Sequence, residues 1–321
     1  MSIFFDLLLL HMDLTLVLIS FFSSIAFIII TQRFFLEKKY TDSINIRSSH
    51  NTIATRSGGI AIFLTIFLIS CFFYVTGYDI YDFSLLIPLS LLMLVGFYDD
   101  INGIDFKLKF IFQIIAAKII IDNGLIIDNL HGVLGIFELN RILAQTLTIF
   151  IILAIINAIN FIDGIDGLAI TIIIWFIFLF EFFANSISPY TNLTQIIIPA
   201  LIPLYYFNFR KKNKIFLGDS GSLFLGGIVS IYVIYVLNNE YLIKPEFDLH
   251  KVIFVLSILF YPIIDLIRIF FFRLLKGKSP FQPDKNHIHH AINNKFDNHL
   301  KTVFLIFMSS VIALIIIQII A

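Results

Sequence analysis

Long apolar runs recur along the whole chain, separated by short segments that carry most of the charges and glycines. A helix needs about 20 apolar residues to cross the hydrocarbon core of a bilayer. We therefore expect an all-α, polytopic integral membrane protein that forms a single domain over residues 1–321. The runs predict ten membrane-spanning helices, near residues 14–34, 58–75, 84–98, 108–122, 142–160, 168–184, 195–209, 221–237, 251–273 and 301–320.

The composition excludes a soluble globular protein. Of the 321 residues, 59% are apolar and 14% are charged, whereas soluble domains have about 45–50% apolar and about 25% charged residues. The 22 basic and 22 acidic side chains cancel, so nothing in the net charge indicates a nucleic acid partner, and we expect none. The one cysteine, Cys71, lies in an apolar run, which excludes an internal disulfide and a cysteine metal cluster.

The distribution of lysine and arginine predicts the orientation of the chain. Cytoplasmic loops of membrane proteins retain positive charge. One set of alternate loops carries 17 of these residues, and the other set carries only Arg141, Lys244 and Lys251. The first set is therefore expected to face the cytoplasm, with both chain ends on the opposite, periplasmic side.

Every unusual polar cluster falls in this basic set of loops. The first loop, IRSSHNTIATRSGG, contains Arg47, His50 and Arg56 before the pair Gly58 and Gly59. An arginine side chain can donate two parallel hydrogen bonds to the oxygens of one phosphate, and the N–H groups of glycines can approach an anion closely. A positive-inside loop that ends in a glycine turn explains the same residues, and this loop alone favours that explanation.

Acidic residues mark the next two loops. Asp99 and Asp100 lie at the end of a span. Adjacent carboxylates repel one another at a membrane surface, so they are expected to share a cation or a proton. The alternative is an acid pair that simply faces water at the end of a helix. In IINAINFIDGIDGLA, glycines after each acid predict that the helix ends in a turn, so that both acids face one cavity. Capping turns explain the acids of this motif but not its asparagines, which favours a ligand or metal. The polar residues of the motif recur every three positions: Asn157, Asn160, Asp163 and Asp166.

The last two clusters combine acids or histidines with lysines. In FNFRKKNKIFLGDSGS, Lys214 precedes Asp219 at the start of a span. Asp219 fits a Mg²⁺ ligand, and Lys214 fits a hydrogen-bond donor to phosphate. Alternatively, Asp219 or Ser222 could merely cap the helix. In KGKSPFQPDKNHIHHAI, the three histidines lack the spacing of a tetrahedral zinc site. They fit better as hydrogen-bond donors to an anion. An amphipathic helix on acidic lipid would explain the lysines of that motif.

Taken in order over roughly residues 45–292, the five clusters resemble the polyprenyl-phosphate N-acetylhexosamine-1-phosphate transferases of glycosyltransferase family 4. RSSH and SPFQPDKNHIHH are most similar to the branch that initiates O-antigen synthesis in the bacterial inner membrane. The resemblance implies transfer of N-acetylhexosamine-1-phosphate from a UDP-sugar to undecaprenyl phosphate, giving undecaprenyl-diphospho-N-acetylhexosamine and UMP. It also implies Mg²⁺ as the cofactor, with Mn²⁺ as the alternative, a membrane-embedded protein with a cytoplasmic active site, and a homodimer as one option for the assembly.

The resemblance also implies roles for individual residues. Asp219 would bind the metal together with Asn157. The catalytic set would be Asp99, Asp100, Asp163, Asp166, His289 and His290. The substrate-binding set would be Arg47, His50, Arg56, Asn160, Asn208, Lys214, Lys285 and His287. The family's prolines before the first-loop arginine are absent, since Ile53, Ala54 and Thr55 precede Arg56.

Other functions fit part of the same pattern. The nearest alternative is an enzyme like phospho-MurNAc-pentapeptide transferase of peptidoglycan synthesis. A secondary transporter would carry its charges near the bilayer midplane and have two related halves, but here the acids gather at one surface. A lipid-binding scaffold without catalysis leaves the one-sided set of aspartates, asparagines and histidines unexplained.

Overall fold

The computed structural model describes residues 14–41, 53–78, 80–238, 241–247, 249–277 and 286–320. A helix occupies each of the ten predicted segments, which confirms the all-α membrane architecture. The helices are α1 (Leu14–Glu37), α2 (Gly58–Val75), α3 (Leu86–Asn102), α4 (Phe106–Asp122), α5 (Arg141–Ile162), α6 (Leu168–Phe183), α7 (Thr191–Asn208), α8 (Gly218–Leu237), α9 (Lys251–Ile258), α10 (Phe260–Leu275), α11 (Ile288–Phe296) and α12 (His299–Ile320). Short strands β1 (Ala54–Thr55) and β2 (Lys214–Ile215) pair in parallel.

Among the described helices, six are long and apolar enough to cross a membrane, and a bent pair makes a seventh if it counts as one span. That pair is α9 and α10, which meet at an angle of 86°. The prediction of one continuous helix over 251–273 is therefore wrong. Pro262 explains the position of the break, because proline has no N–H to bind the carbonyl of Ile258 four residues earlier.

Helix α8 forms the centre of the bundle, and its whole apolar window is buried. Glycines allow its first turn to approach two neighbours at backbone distance. A Cβ atom on Gly59 of α2 would lie 2.1 Å from the backbone nitrogen of Gly221, and one on Gly96 of α3 would lie 2.3 Å from the carbonyl oxygen of Asp219. This packing places the start of α8 directly beside the acidic end of α3.

Strands β1 and β2 join the loop before α2 to the loop before α8. Ala54 pairs with Lys214 and Thr55 with Ile215. Beyond the strands, the N–H groups of Gly58 and Gly59 donate to the carbonyl oxygens of Phe216 (3.0 Å) and Leu217 (2.8 Å). Backbone carbonyls therefore already bind the two N–H groups, which agrees with the glycine turn that this loop alone favoured.

Candidate active site

A lysine bridges two carboxylates where α3, α4 and α8 meet. Lys109 Nζ donates to Asp99 Oδ2 at 2.8 Å and to Asp219 Oδ2 at 2.9 Å. Asp99 lies near the end of α3, Lys109 in the first turn of α4 and Asp219 in the first turn of α8. The N–H of Ile104 donates to the other oxygen of Asp99 at 2.8 Å. The structure therefore brings two predicted acids together around one positive charge, and that lysine was not among the predicted site residues.

Asparagine from α5 completes this cluster. Asn160 Nδ2 donates to Asp219 Oδ1 at 2.6 Å and lies 2.7 Å from Ser222 Oγ. Asn157, three residues earlier, instead donates from Nδ2 to Gln113 Oε1 at 2.8 Å and to the carbonyl of Leu153 at 2.7 Å. Among the described contacts of Asp219, the asparagine is thus Asn160, whereas the resemblance paired Asp219 with Asn157.

Asp100 caps the N-terminus of α8 from another helix. Its fully buried carboxylate accepts the N–H of Asp219 at 2.9 Å and the N–H of Ser220 at 2.9 Å, one on each oxygen. Leu217 at the N-cap position of α8 offers no side-chain hydrogen bond of its own. Arg56 NH1 lies 3.8 Å from Asp100 Oδ1. A negative charge is stabilised at a helix N-terminus, so Asp100 fixes the turn that presents Asp219.

The turn between α5 and α6 holds the next two acids, as predicted. Half-buried Asp163 follows the last residue of α5. Removal from water raises the pKa of Asp163 well above its usual range, and the negative charges of Asp219 and Asp100 raise it further. Asp163 is therefore the acid in this turn that holds a proton most readily, and a nearby cation would favour its ionisation.

Asp166 forms a bridge that the sequence did not reveal. Its Oδ2 lies 2.5 Å from Lys214 Nζ and 2.6 Å from His299 Nδ1, at the start of α12. Burial raises the pKa of Asp166, but the hydrogen bonds and charges of His299 and Lys214 outweigh burial and hold the pKa below its ordinary value. The carboxylate is therefore ionised at neutral pH and ties the last helix to the turn.

Asn208 supports the same turn from α7. Its Oδ1 accepts the N–H of Gly167 at 2.5 Å, and its Nδ2 donates to the carbonyl of Ile215 at 2.8 Å. Both polar groups of this predicted substrate-binding side chain are thus engaged by backbone. In this structure Asn208 holds the turn against β2.

The histidines of α11 lie against the turn that carries Asp163. A Cβ atom on Gly164 would lie 3.3 Å from His290 Cε1 and 3.4 Å from His289 Nε2. His289 Nδ1 lies 2.9 Å from the hydroxyl of Tyr261. Burial, followed by the charges of His290 and His287, lowers the pKa of His289 to about 3, so its ring is neutral at pH 7.

His287 has a carboxylate partner that sequence reasoning missed. Its Nδ1 lies 2.6 Å from Oδ2 of Asp265, a buried residue of α10. The sequence did contain a signal for Asp265, because an acid within an otherwise apolar span is costly in a membrane unless it serves a function.

Of the remaining predicted residues, Arg47, His50 and Lys285 lie outside the described part of the chain.

An apolar groove opens beside the polar site. It has a volume of about 290 Å³ and lies between α5, α8 and the bent pair α9 and α10. At its polar end, Ala158 and Ile159 come directly before Asn160, and Leu266 directly follows Asp265. The residues that line the groove are all apolar: Phe150, Ile151, Ala154, Ile155, Ala158, Ile159, Val233, Leu237, Val252, Val255, Leu256, Leu259, Pro262, Ile263, Leu266 and Ile267.

The donor set of the central cluster fits a divalent cation. Oδ2 of Asp99 and Oδ2 of Asp219 converge on one ammonium group, within 2.8 and 2.9 Å of its nitrogen. Carboxylate oxygens are the ligands that Mg²⁺ and similar hard ions prefer. The two acids therefore already share one cation, and their chemistry suits Mg²⁺ or Mn²⁺ far better than a thiophilic metal.

Fold and site define a polytopic membrane protein that gathers acids, amides, lysines and histidines at one end of its helices, next to an apolar groove. Residues 82–237 match the model of glycosyl transferase family 4. The chain is 30% identical over 287 residues to the undecaprenyl-phosphate alpha-N-acetylglucosaminyl 1-phosphate transferase of Salmonella typhi, covering 83% of this chain and 72% of that protein. The chain therefore belongs to glycosyl transferase family 4, as its ordered motifs indicated.

Two further relatives come from other bacteria. The decaprenyl-phosphate N-acetylglucosaminephosphotransferase of Mycobacterium tuberculosis is 29% identical over 291 residues, which cover 82% of this chain and 71% of that protein. The probable undecaprenyl-phosphate N-acetylglucosaminyl 1-phosphate transferase of Bacillus subtilis is 28% identical over 287 residues, which cover 87% of this chain and 76% of that protein. The similarity thus extends over most of each chain.

Proposed function

We propose that this protein transfers N-acetylhexosamine-1-phosphate from a UDP-sugar to undecaprenyl phosphate, and that N-acetylglucosamine is the sugar. The observation that carries the proposal is the convergence of Asp99, Lys109, Asn160 and Asp219 at one end of the bundle. The names of the relatives support both a polyprenyl-phosphate acceptor and an N-acetylglucosamine donor. The product would be the lipid-linked diphospho-sugar that begins a cell-surface polysaccharide such as O-antigen.

The reaction joins two anions, and the central cluster has the charges to assist it. Asp99 and Asp219 would hold Mg²⁺, or Mn²⁺ in its place, with the amide of Asn160 orienting Asp219. When bound, the ion neutralises phosphate charge and so lowers the barrier to attack. Lys109 and Lys214 add positive charge on either side of the acids, while Asp100 keeps the first turn of α8 in place.

The nucleophile needs little activation. A phosphate monoester has a second pKa of about 6, so an oxygen of the lipid phosphate is already largely ionised at neutral pH. That oxygen attacks the sugar-bearing phosphorus of the donor, a new P–O bond forms, and the bond to the leaving UMP breaks. A single displacement follows, in which Asp99 and Asp100 position groups and neither must act as a base.

The apolar groove suits the isoprenoid chain of the acceptor. Its wall is entirely apolar, and two of its lining residues, Ile159 and Leu266, directly adjoin Asn160 and Asp265 in the chain. A lipid phosphate whose first isoprene units occupy the groove would present its charged head to the central cluster. Residues from both segments of the bent pair line this groove, so the bend between α9 and α10 shapes its wall.

The basic loops lie at the same end as the acids, and we infer that this end faces the cytoplasm of a bacterial inner membrane. Nucleotide sugars are water-soluble, so the donor must enter from the aqueous side on which the site opens. The excess of lysine and arginine in these loops supports the orientation.

The test is an assay on the purified, full-length protein in lipid nanodiscs. We would supply undecaprenyl phosphate, Mg²⁺ and a panel of UDP-sugars, and then measure UMP and identify the lipid product by mass spectrometry. We expect equal amounts of UMP and undecaprenyl-diphospho-N-acetylglucosamine. Release of UDP, or a phosphorylated aspartate trapped on the protein, would contradict the proposed displacement.

A further inference from the structure

Asp265 is a buried acid without a role in the scheme above. Its residue exposure is 1%, and it lies on α10, within the apolar bent pair of α9 and α10. Its carboxylate accepts hydrogen bonds from three groups: Oδ2 lies 2.6 Å from His287 Nδ1, and Oδ1 lies 3.0 Å from the N–H of Ile288 and 3.1 Å from Arg268 NH2. A carboxylate so deeply buried is costly unless it serves its partners.

These contacts connect Asp265 to the active site. The ring of His287 lies 5.4 Å from the ring of Phe161, which directly follows Asn160 on α5. The rings of His287 and His289 stack at 5.3 Å, and His289 approaches Gly164 in the turn beside Asp163. Asp265 therefore contacts a histidine that borders the polar site, and that histidine lies between Asp265 and the site.

A carboxylate at Nδ1 determines what a histidine can do at Nε2. When the carboxylate holds Nδ1–H, the ring is fixed in one tautomer and one orientation, and Nε2 remains for a ligand. The negative charge also favours the imidazolium form, whose Nε2–H donates a strong hydrogen bond to a phosphate oxygen. With Asp265 at its Nδ1, His287 would be able to donate a hydrogen bond from Nε2 to an anion.

We propose that Asp265 is a positioning residue of the transfer reaction, which keeps His287 Nδ1 protonated and directs Nε2–H to the diphosphate of the sugar donor. This inference rests on the proposed function. The alternative is that Asp265 only caps α11 through the N–H of Ile288, which would make its effect on activity independent of His287.

A double-mutant cycle separates these two roles. The variants are Asp265→Asn, His287→Gln and the combination, compared by kcat/KM for UMP release in nanodiscs. Loss of a group that orients a functional histidine typically costs about 10- to 100-fold. If Asp265 acts through His287, the double variant loses no more than about threefold beyond His287→Gln alone. Losses that multiply would overturn the inference.

The split between kcat and KM gives a second readout that a purely structural cap would not produce. If His287 binds the diphosphate of the donor, Asp265→Asn should raise the KM for the UDP-sugar and leave the KM for undecaprenyl phosphate unchanged. Equal changes in the two constants would contradict the proposal.

Two controls make the result unambiguous. Glu181→Gln removes another buried carboxylate, which binds the hydroxyls of Thr191 (3.0 Å) and Thr194 (2.8 Å) at the other end of the bundle, and its activity should stay within about twofold of the parent. If thermal melting shows that Asp265→Asn is not folded, the smaller Asp265→Ser replaces it in the cycle.

The outcomes for the two proposals can be told apart. A parent protein that releases no UMP refutes the proposed function, whereas an active parent with multiplying losses refutes only the role of Asp265.

Discussion

Lys109 Nζ lies 2.9 Å from Asp219 Oδ2, although 110 positions separate the two residues in the chain. The same nitrogen binds Asp99, so that one ammonium group balances two carboxylates from different helices. Neither acid is more than a third exposed. This relationship locates the centre of the site and shows that α3, α4 and α8 must be assembled before the site exists.

The first prediction concerns that lysine. Lys109→Ala leaves two carboxylates close together without a balancing charge, which costs about 3 kcal/mol when one partner of a largely buried pair is removed. We expect a lower melting temperature in chelator and partial recovery in millimolar Mg²⁺, measured by differential scanning fluorimetry. Lys118→Ala on the same helix, which removes an exposed pair with Asp122, should change little. Equal melting curves for the two variants would contradict this account.

The second prediction separates positioning from base catalysis at Asp100. Asp100→Asn keeps one acceptor oxygen, so one of the N–H groups of Asp219 and Ser220 loses its partner, at a cost of about 1–3 kcal/mol. The turn that presents Asp219 should shift, and we expect UMP release to fall about 100-fold or more at every pH. A rate that recovers at high pH would instead indicate that Asp100 serves as a base.

The third prediction follows from the close packing of α2 on α8. A Cβ atom on Gly59 would meet backbone atoms of Gly221 at 2.1 and 2.3 Å, and backbone cannot move aside as a side chain can. Gly59→Ala should therefore prevent a stable fold or lower the melting temperature strongly. Gly77→Ala is the comparison, because no atom lies within 4 Å of its added methyl group and only the cost of a positive φ, about 1 kcal/mol, remains. Similar stability of the two variants would argue against the observed packing.

The fourth prediction is a pH dependence of stability from His289. Its pKa is about 3 in the folded protein, against about 6.5 for an exposed histidine. Between these values the unfolded chain binds a proton that the folded chain does not, so stability falls as pH drops from about 6.5 towards 3. We expect this fall in melting temperature to be shallower in His289→Gln. Parallel curves for the parent and the variant would refute it.

The helices could be predicted because their signal is local. Each apolar run became helical, but the run over 251–273 became two helices, and among the described helices six, or seven with the bent pair, are long and apolar enough to cross a membrane. The break in the ninth span was missed because no charged residue or glycine interrupts residues 252–264, although Pro262 has no N–H to donate to the carbonyl four residues earlier. The turn with Asp163 and Asp166 was predictable for a similar reason, since Gly164 lies in the turn after α5 and Gly167, with a φ of +73°, precedes the first residue of α6.

The partners within the site could not be predicted, because they depend on how helices pack. Nothing local distinguishes Lys109, which lies between two acids, from Lys107, and His299 lies 133 positions from Asp166. Asn157 and Asn160 differ by less than one helical turn, yet only a packed structure shows that Asn160 is the one that hydrogen-bonds to Asp219. Asp265 was overlooked because it stands alone in an apolar segment, without a motif around it.

The most direct test of the account measures UMP release from UDP-N-acetylglucosamine and undecaprenyl phosphate for the parent protein and Asp219→Ala, with Mg²⁺ and with excess chelator. We expect the parent to be active only with the divalent cation, and Asp219→Ala to be inactive under both conditions while it still inserts into the membrane. Full turnover of the parent in chelator, or unaltered turnover of Asp219→Ala, would contradict the claim that Asp219 holds a cation that lets the two anions react.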